Sequence, residues 1–160
     1  MSETNKYSVY LALGSNLGDK QKNIEEALDK VEERIGNIIS LSAFYLTAPV
    51  GFQSENIFVN CVCEVVTQIS IYKLFSITQE IEKEIGRSQK SVDAQYADRQ
   101  IDIDLILAGD MVIDTPELTL PHPRFHTRSF VLDPLFEIAP DLIHPILGKT
   151  IREMRDELVE

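Results

Sequence analysis

The sequence is short of basic residues. Across 160 residues, 15 lysines and arginines stand against 26 aspartates and glutamates, a net charge of −11, and proteins that bind nucleic acid carry the opposite balance to neutralise phosphates. Cysteine is scarce too: only Cys61 and Cys63 occur, two apart in an apolar run, where an extended chain sets their Cα atoms about 6.6 Å apart, near the limit for a bridge. Buried thiols are expected there rather than a disulfide or a metal site. No hydrophobic stretch approaches the roughly 18 residues of a membrane span. The start, Met1-Ser2-Glu3-Thr4-Asn5, lacks the basic and apolar regions of a secretory leader. The expected compartment is the cytoplasm, with no membrane and no nucleic acid as partner. Repeats and low-complexity tracts are missing as well, so residues 1–160 read as a single domain. What is present, 44% apolar and 26% charged residues, is ordinary for a globular protein. A chain of this length buries about 70% of its unfolded surface and needs no staple to fold.

Element boundaries follow from periodicity and breakers. Residues Tyr7 to Leu13 are rich in β-formers and end at the turn signal Gly14-Ser15-Asn16-Leu17-Gly18. From Asp19, the apolar positions Ile24, Leu28, Val31 and Ile35 recur at helical spacing, with Gly36 as a stop. A second strand is expected over Ile38 to Tyr45 and a third over Ile57 to Val66, joined by a connection longer than a hairpin loop. A second helix begins after Ser70, presents Leu74, Ile77, Ile81 and Ile85, and ends at Gly86. Arg87 to Arg99 is polar without an apolar period. Gln100 to Leu107 then alternates strictly, with Ile101, Ile103, Leu105 and Leu107 on one face and Asp102, Asp104 and Ile106 on the other. The order strand, helix, strand, strand, helix, strand is the split βαββαβ pattern of a ferredoxin-like domain. The expected class is therefore α+β, an α/β sandwich with an antiparallel sheet. Its C-terminal extension comprises an extended stretch from Pro116 to Pro123 and helices over Phe130 to Ile138, entered from Thr127, and Thr150 to Leu158.

Two carboxylates at i and i+2, Asp102 and Asp104, project from one face of a strand whose opposite face is aliphatic. Held this close they repel unless a cation lies between them, and paired hard oxygens with room for water and phosphates suit Mg²⁺. A solvated outer strand face would also explain the alternation. Four of the seven arginines, Arg87, Arg99, Arg124 and Arg128, fall in the same interval as the pair, together with His122 and His126. Guanidinium forks match phosphate oxygens in bidentate fashion, so the coincidence points to a polyphosphate. Gly14 to Gly18 is not a phosphate cradle, because neither G-x-x-x-x-G-K-[ST] nor G-x-G-x-x-G fits it. His144 follows no pattern.

Three segments taken together resemble 6-hydroxymethyl-7,8-dihydropterin pyrophosphokinases: Leu11-Ala12-Leu13-Gly14-Ser15-Asn16-Leu17-Gly18-Asp19, then Asp98-Arg99-Gln100-Ile101-Asp102-Ile103-Asp104, then Leu120-Pro121-His122-Pro123-Arg124-Phe125-His126 running on to Arg128, Phe130, Val131 and Leu132. The resemblance spans about Tyr7 to His144. It implies transfer of pyrophosphate from ATP to the hydroxymethyl group of the dihydropterin, with release of AMP, as a step towards folate. It further implies that Asp102 and Asp104 hold two Mg²⁺ ions against the phosphates of ATP, with Arg87 and Arg99 beside them as the catalytic set. Arg87, Arg99, His122 and Arg128 would meet the nucleotide's phosphates, Gln79 and Glu82 its nucleoside, and Tyr96 could close over it. For the pterin, Phe58 and Phe130 would stack on the ring, Asn60 would read its edge, and Thr47, Ala48 and Val50 would supply backbone contacts, with Asp102 adjoining. Where the family commonly has Trp-Gly-Pro-Arg before the aspartates, this chain has Tyr96-Ala97-Asp98-Arg99. The implied partners are small molecules, ATP and the pterin, acting on a monomer.

Two readings from different classes remain at this point: the pyrophosphokinase, and a non-catalytic ferredoxin-like module that binds a small molecule, since the fold hosts many functions. The carboxylate pair among arginines favours the first. Residues 87–128 carry five basic and seven acidic side chains against a net −9 elsewhere, so Mg²⁺ on two of those acids would turn the segment net positive.

Overall fold

In the computed structural model, which describes residues 5–47, 57–87 and 100–158, the first β-forming run becomes β1 (Tyr7–Ser15), an inner strand of the main sheet. Asp19 caps α1 (Lys20–Arg34) by accepting the Lys22 N–H at 3.2 Å, and Ile24, Ala27, Leu28 and Val31 form its buried stripe. The turn out of α1 requires glycine. A Cβ on Gly36 would come 2.1 Å from the carbonyl oxygen of Val66.

The single strand expected over residues 38–45 is two strands, β2 (Asn37–Leu41) and β3 (Tyr45–Thr47), both antiparallel to β4 (Phe58–Thr67). Ser42 makes the break. Its backbone N–H donates to the Val62 carbonyl at 2.9 Å, while its hydroxyl accepts the Val62 N–H at 3.0 Å. A side-chain oxygen thus stands in for a backbone carbonyl, and the chain bows out at Ala43 and Phe44 before rejoining β4. Ser70 caps α2 (Ile71–Arg87) through the Lys73 N–H at 3.3 Å, and Leu74, Ile81 and Ile85 are fully buried as the stripe predicts. Glu84 ties the two helices together, accepting both Arg34 nitrogens at 2.9 Å with Lys30 at 3.2 Å.

β5 (Asp102–Ala108) lies beside β1, and here strict alternation fails. Tyr10 pairs with Leu107 but Leu11 pairs with Leu105, which leaves Ile106 as an extra residue. Such a bulge resets the facing of everything beyond it. Leu107 therefore joins Ile106 in one core, while Leu105 and Ala108 lie in the other. Within the expected extended stretch, only Thr119–Leu120 pairs, as β7 against β6 (Ile113–Asp114). The helix expected over Phe130 to Ile138 is α3 (Ser129–Ile138), entered from Arg128 rather than Thr127, which closes a 3-10 turn (Phe125–Thr127). α4 (Ile151–Glu157) is capped reciprocally by Thr150 and Glu153.

The main sheet runs β2-β4-β1-β5 with β3 beside β4, every neighbouring pair antiparallel. This is the ferredoxin-like core. One face packs Leu11, Leu13, Cys61, Cys63, Ile103 and Leu105 against α1 and α2. Both cysteines are free thiols, and burial pushes Cys61 up to about 12 and Cys63 upward as well. The opposite face is covered too: Tyr10, Val62, Ile106, Leu107, Phe125, Leu132 and Leu135 form a second core beneath α3 and α4. No helix among the described residues is long and apolar enough to cross a membrane.

Candidate active site

Where the second core stops, the sheet presents small and polar residues. Strand register places Asn60 beside Gly14 and Gly14 beside Asp102 in one row, with Val62, Ala12 and Asp104 in the next. Neighbouring strands lie about 4.8 Å apart, so Asn60 and Asp102 stand about 9.6 Å from each other across a position that has no side chain. The result is a cleft of about 190 Å³ whose floor is Gly14 and Ala12 and whose rim includes Thr47, Phe58, Asn60, Asp102, Asp104, Arg128 and Phe130.

Gly14 is required by close approach. A Cβ there would lie 2.8 Å from the Asn60 carboxamide oxygen and 3.7 Å from the Phe58 ring. Asn60 is buried, and its Nδ2 donates to the Thr47 hydroxyl at 2.7 Å, which orients the amide. Phe58 is one pleat further along the same face of β4, paired with Thr47. Across the cleft, Phe130 lies in the first turn of α3, and the Arg128 guanidinium carbon is 5.6 Å from its ring centroid, within cation–π range. The α3 terminus thus supplies one aromatic and one fixed positive charge to the wall opposite Phe58.

Asp102 and Asp104 are half-buried at the start of β5. No group of three or more His, Cys, Asp or Glu side chains that could hold a metal exists among the described residues. Two carboxylates without a third protein ligand leave most coordination positions to water and phosphate oxygens, a donor set that fits Mg²⁺. His122 lies on the same side. Burial, followed by the charges of Arg128 and Arg124, lowers its pKa to about 4 against the opposing pull of Asp102. Its Nδ1 accepts the Arg124 N–H at 3.1 Å, so the neutral ring keeps its proton on Nε2 and offers a donor without a charge.

The structure therefore brings together Thr47, Phe58, Asn60, Asp102, Asp104, Arg128 and Phe130 in one cleft, with His122 in electrostatic reach of Asp102 and Arg128. Gln79 is exposed on α2, three residues before Glu82, whose carboxylate accepts the Ile103 N–H at 2.7 Å. Ala48, Val50, Tyr96 and Arg99 lie outside the described residues, as does the side chain of Arg87. Sequence reasoning missed Ala12 and Gly14 as the floor. Their signal was present, since two small residues share one face of a strand whose other face carries Leu11 and Leu13. His144, to which the sequence assigned nothing, stacks on Phe125 at 5.5 Å and accepts the backbone N–H groups of Ile146 and Leu147 at 3.2 and 3.1 Å. It organises the C-terminal loop.

Comparison with known proteins agrees with this geometry. The profile of a family described as 7,8-dihydro-6-hydroxymethylpterin-pyrophosphokinase matches residues 10–140. The chain is 45% identical over 138 residues to a 2-amino-4-hydroxy-6-hydroxymethyldihydropteridine pyrophosphokinase of Porphyromonas gingivalis, covering 86% of this chain and 93% of that protein. It is 38% identical over 150 residues to the protein of the same name from Aquifex aeolicus, covering 94% of this chain and 91% of that one. Among solved structures, a wild-type Plasmodium falciparum HPPK-DHPS chain is similar with a TM-score of 0.77 at 16% identity, covering 98% of this chain and 45% of that longer one. At that identity the likeness concerns the fold.

Proposed function

This chain belongs to the 7,8-dihydro-6-hydroxymethylpterin-pyrophosphokinase family, and from that premise we propose how its residues divide the work. The protein transfers the pyrophosphoryl group of ATP to the hydroxymethyl group of 6-hydroxymethyl-7,8-dihydropterin in folate synthesis. A bond forms between the hydroxyl oxygen and the β-phosphorus, the bond from that phosphorus to the oxygen of the α-phosphate breaks in line, and AMP leaves. Such a reaction calls for positioning and charge neutralisation more than covalent chemistry by the protein.

The pterin lies over Gly14 between Phe58 and Phe130, with Asn60 at its edge and Thr47, Ala48 and Val50 alongside, so that its hydroxymethyl group points towards Asp102. The cleft supports this: a flat ring fits the gap that Gly14 leaves between the carboxamide and the carboxylates. Asp102 and Asp104 would hold two Mg²⁺ ions, which when bound supply neutralisation of phosphate charge. Arg128, His122, Arg87 and Arg99 meet the phosphates. His122 donates there from Nε2, because its Nδ1 accepts the Arg124 N–H. Gln79, Glu82 and Tyr96 adjoin the nucleoside. Within this reading residues 1–160 act as a single domain, a monomer in the cytoplasm.

The observation that carries this reading is the row Asn60, Gly14, Asp102, which sets an edge-reading amide and a metal-binding carboxylate one ring-width apart. It is tested by incubating the protein with ATP, Mg²⁺ and the hydroxymethyl dihydropterin and separating the nucleotides. AMP is expected. ADP would indicate an ordinary kinase, and unchanged ATP a binding module.

A further inference from the structure

We propose that Glu137 is a positioning residue of the pterin half of the cleft, joining β3 to α3 so that Thr47 and Phe130 keep a fixed separation. This rests on the pterin assignment above. β3 is only three residues long, and its main-chain partner lies on one side alone, β4. From the other side Glu137 reaches over from α3. Its two carboxylate oxygens accept the Ala43 N–H at 3.1 and 3.2 Å, and Oε1 also accepts the Tyr45 hydroxyl at 2.7 Å. The carboxylate thus closes the bow that Ser42 opens between β2 and β3. In the same region, burial and the Glu137 carboxylate raise the Tyr45 pKa to about 12, so the phenol keeps the proton it donates.

The helix geometry explains how this bears on the cleft. Phe130 and Glu137 are seven residues apart, so they lie on nearly the same side of α3 and about 10.5 Å apart along its axis. Tyr45 and Thr47 share a face of β3 in the same way, two residues apart. One end of each element is thus joined by Glu137 and Tyr45, while the other ends place Phe130 and Thr47 on the rim of the cleft. Thr47 in turn orients Asn60. Glu137 is exposed, and solvent-exposed bonds add little to stability, so its role is geometric and is read in substrate binding rather than in melting temperature.

Steady-state kinetics on the whole chain test this. Glu137→Ala is expected to raise KM for the pterin threefold or more while kcat and KM for ATP stay within twofold. Glu137→Gln, which keeps one accepting oxygen, should fall between it and the unaltered protein. Tyr45→Phe should shift the pterin KM in the same direction by less. Asp133→Asn is the control: on the same helix it takes the charge out of the exposed 2.8 Å pair with Arg155 and should leave the pterin KM unchanged, with little movement of the melting temperature. The proposal is overturned if Glu137→Gln and Tyr45→Phe leave the pterin KM unchanged, or if Glu137→Ala behaves as Asp133→Asn does. An unaltered protein that forms no AMP would instead overturn the functional reading and this proposal with it.

Discussion

Replacing Gly14 by alanine puts the cleft floor to a quantitative test, because two effects on stability oppose each other while both effects on binding, a turned Asn60 amide and a methyl group in the gap the ring would occupy, act in the same direction. The positive-φ residues among those described are Gly18, Gly109 and Gly148, so alanine meets no backbone strain at position 14. It would restrict the unfolded chain and stabilise by about 0.4–1 kcal/mol. Against this, the new Cβ would stand 2.8 Å from Asn60 Oδ1, 0.6 Å inside the 3.4 Å limit of ordinary contact. The carboxamide must turn, losing its 2.7 Å bond to Thr47, at about 1 kcal/mol. The melting temperature should therefore move by no more than about 4 °C. Pterin binding has no such offset. A turned amide leaves the ring edge without its partner, a loss of about 1–3 kcal/mol, or about 5- to 150-fold in affinity. The pterin KM should rise accordingly while the ATP KM holds. Because part of the cost runs through Asn60, the double variant Gly14→Ala/Asn60→Ala should lose less than the sum of the two single variants. A pterin KM for Gly14→Ala within twofold of the unaltered protein, or two strictly additive losses, would refute the reasoning.

Asp102→Ala and Asp104→Ala should each abolish Mg²⁺-dependent AMP release while circular dichroism shows the fold retained; turnover in either would sink the metal assignment. Arg128→Ala should lower kcat/KM by at least about tenfold, equivalent to about 1.4 kcal/mol of transition-state stabilisation, and an unchanged value would remove Arg128 from the phosphate contacts. The Glu84 carboxyl is held down to about 2 by its bonds to Arg34 and Lys30. A depressed carboxyl contributes stability above its usual pKa near 4.5 and loses it as pH falls from there towards 2. Urea midpoints measured across that range should fall less steeply for Glu84→Gln, and parallel curves would show that the pair contributes nothing.

Most of the architecture was legible because local signals and tertiary structure agree: the stripes of α1 and α2, the α2 cap Ser70, and the alternation that puts Cys61, Cys63, Ile103 and Leu105 in one core. Two features escaped for a common reason. The bulge at Ile106 and the break at Ser42 are negotiated between strands, and nothing in the neighbouring residues encodes a partner's register. The second core was hidden as well, since Val62 and Ile106 read equally as outer-face residues until α3 is placed over them. At the site, the charged pair announced itself by chemistry, and the aromatic positions were accessible through resemblance. Glu137 had no signal at all, being one more acid on an acidic chain.

β5 forms one end of the sheet, where an unpaired strand would ordinarily template the addition of another chain. Here two of its backbone groups are already taken: the Ile103 N–H by the Glu82 carboxylate at 2.7 Å, and the Ile106 carbonyl by the His122 N–H at 2.9 Å. The strand that carries both carboxylates is thereby a poorer template for intruders. Substitutions at Glu82 or on the stretch around His122 thus bear on the solubility of the protein at high concentration as well as on the nucleotide contacts proposed for them.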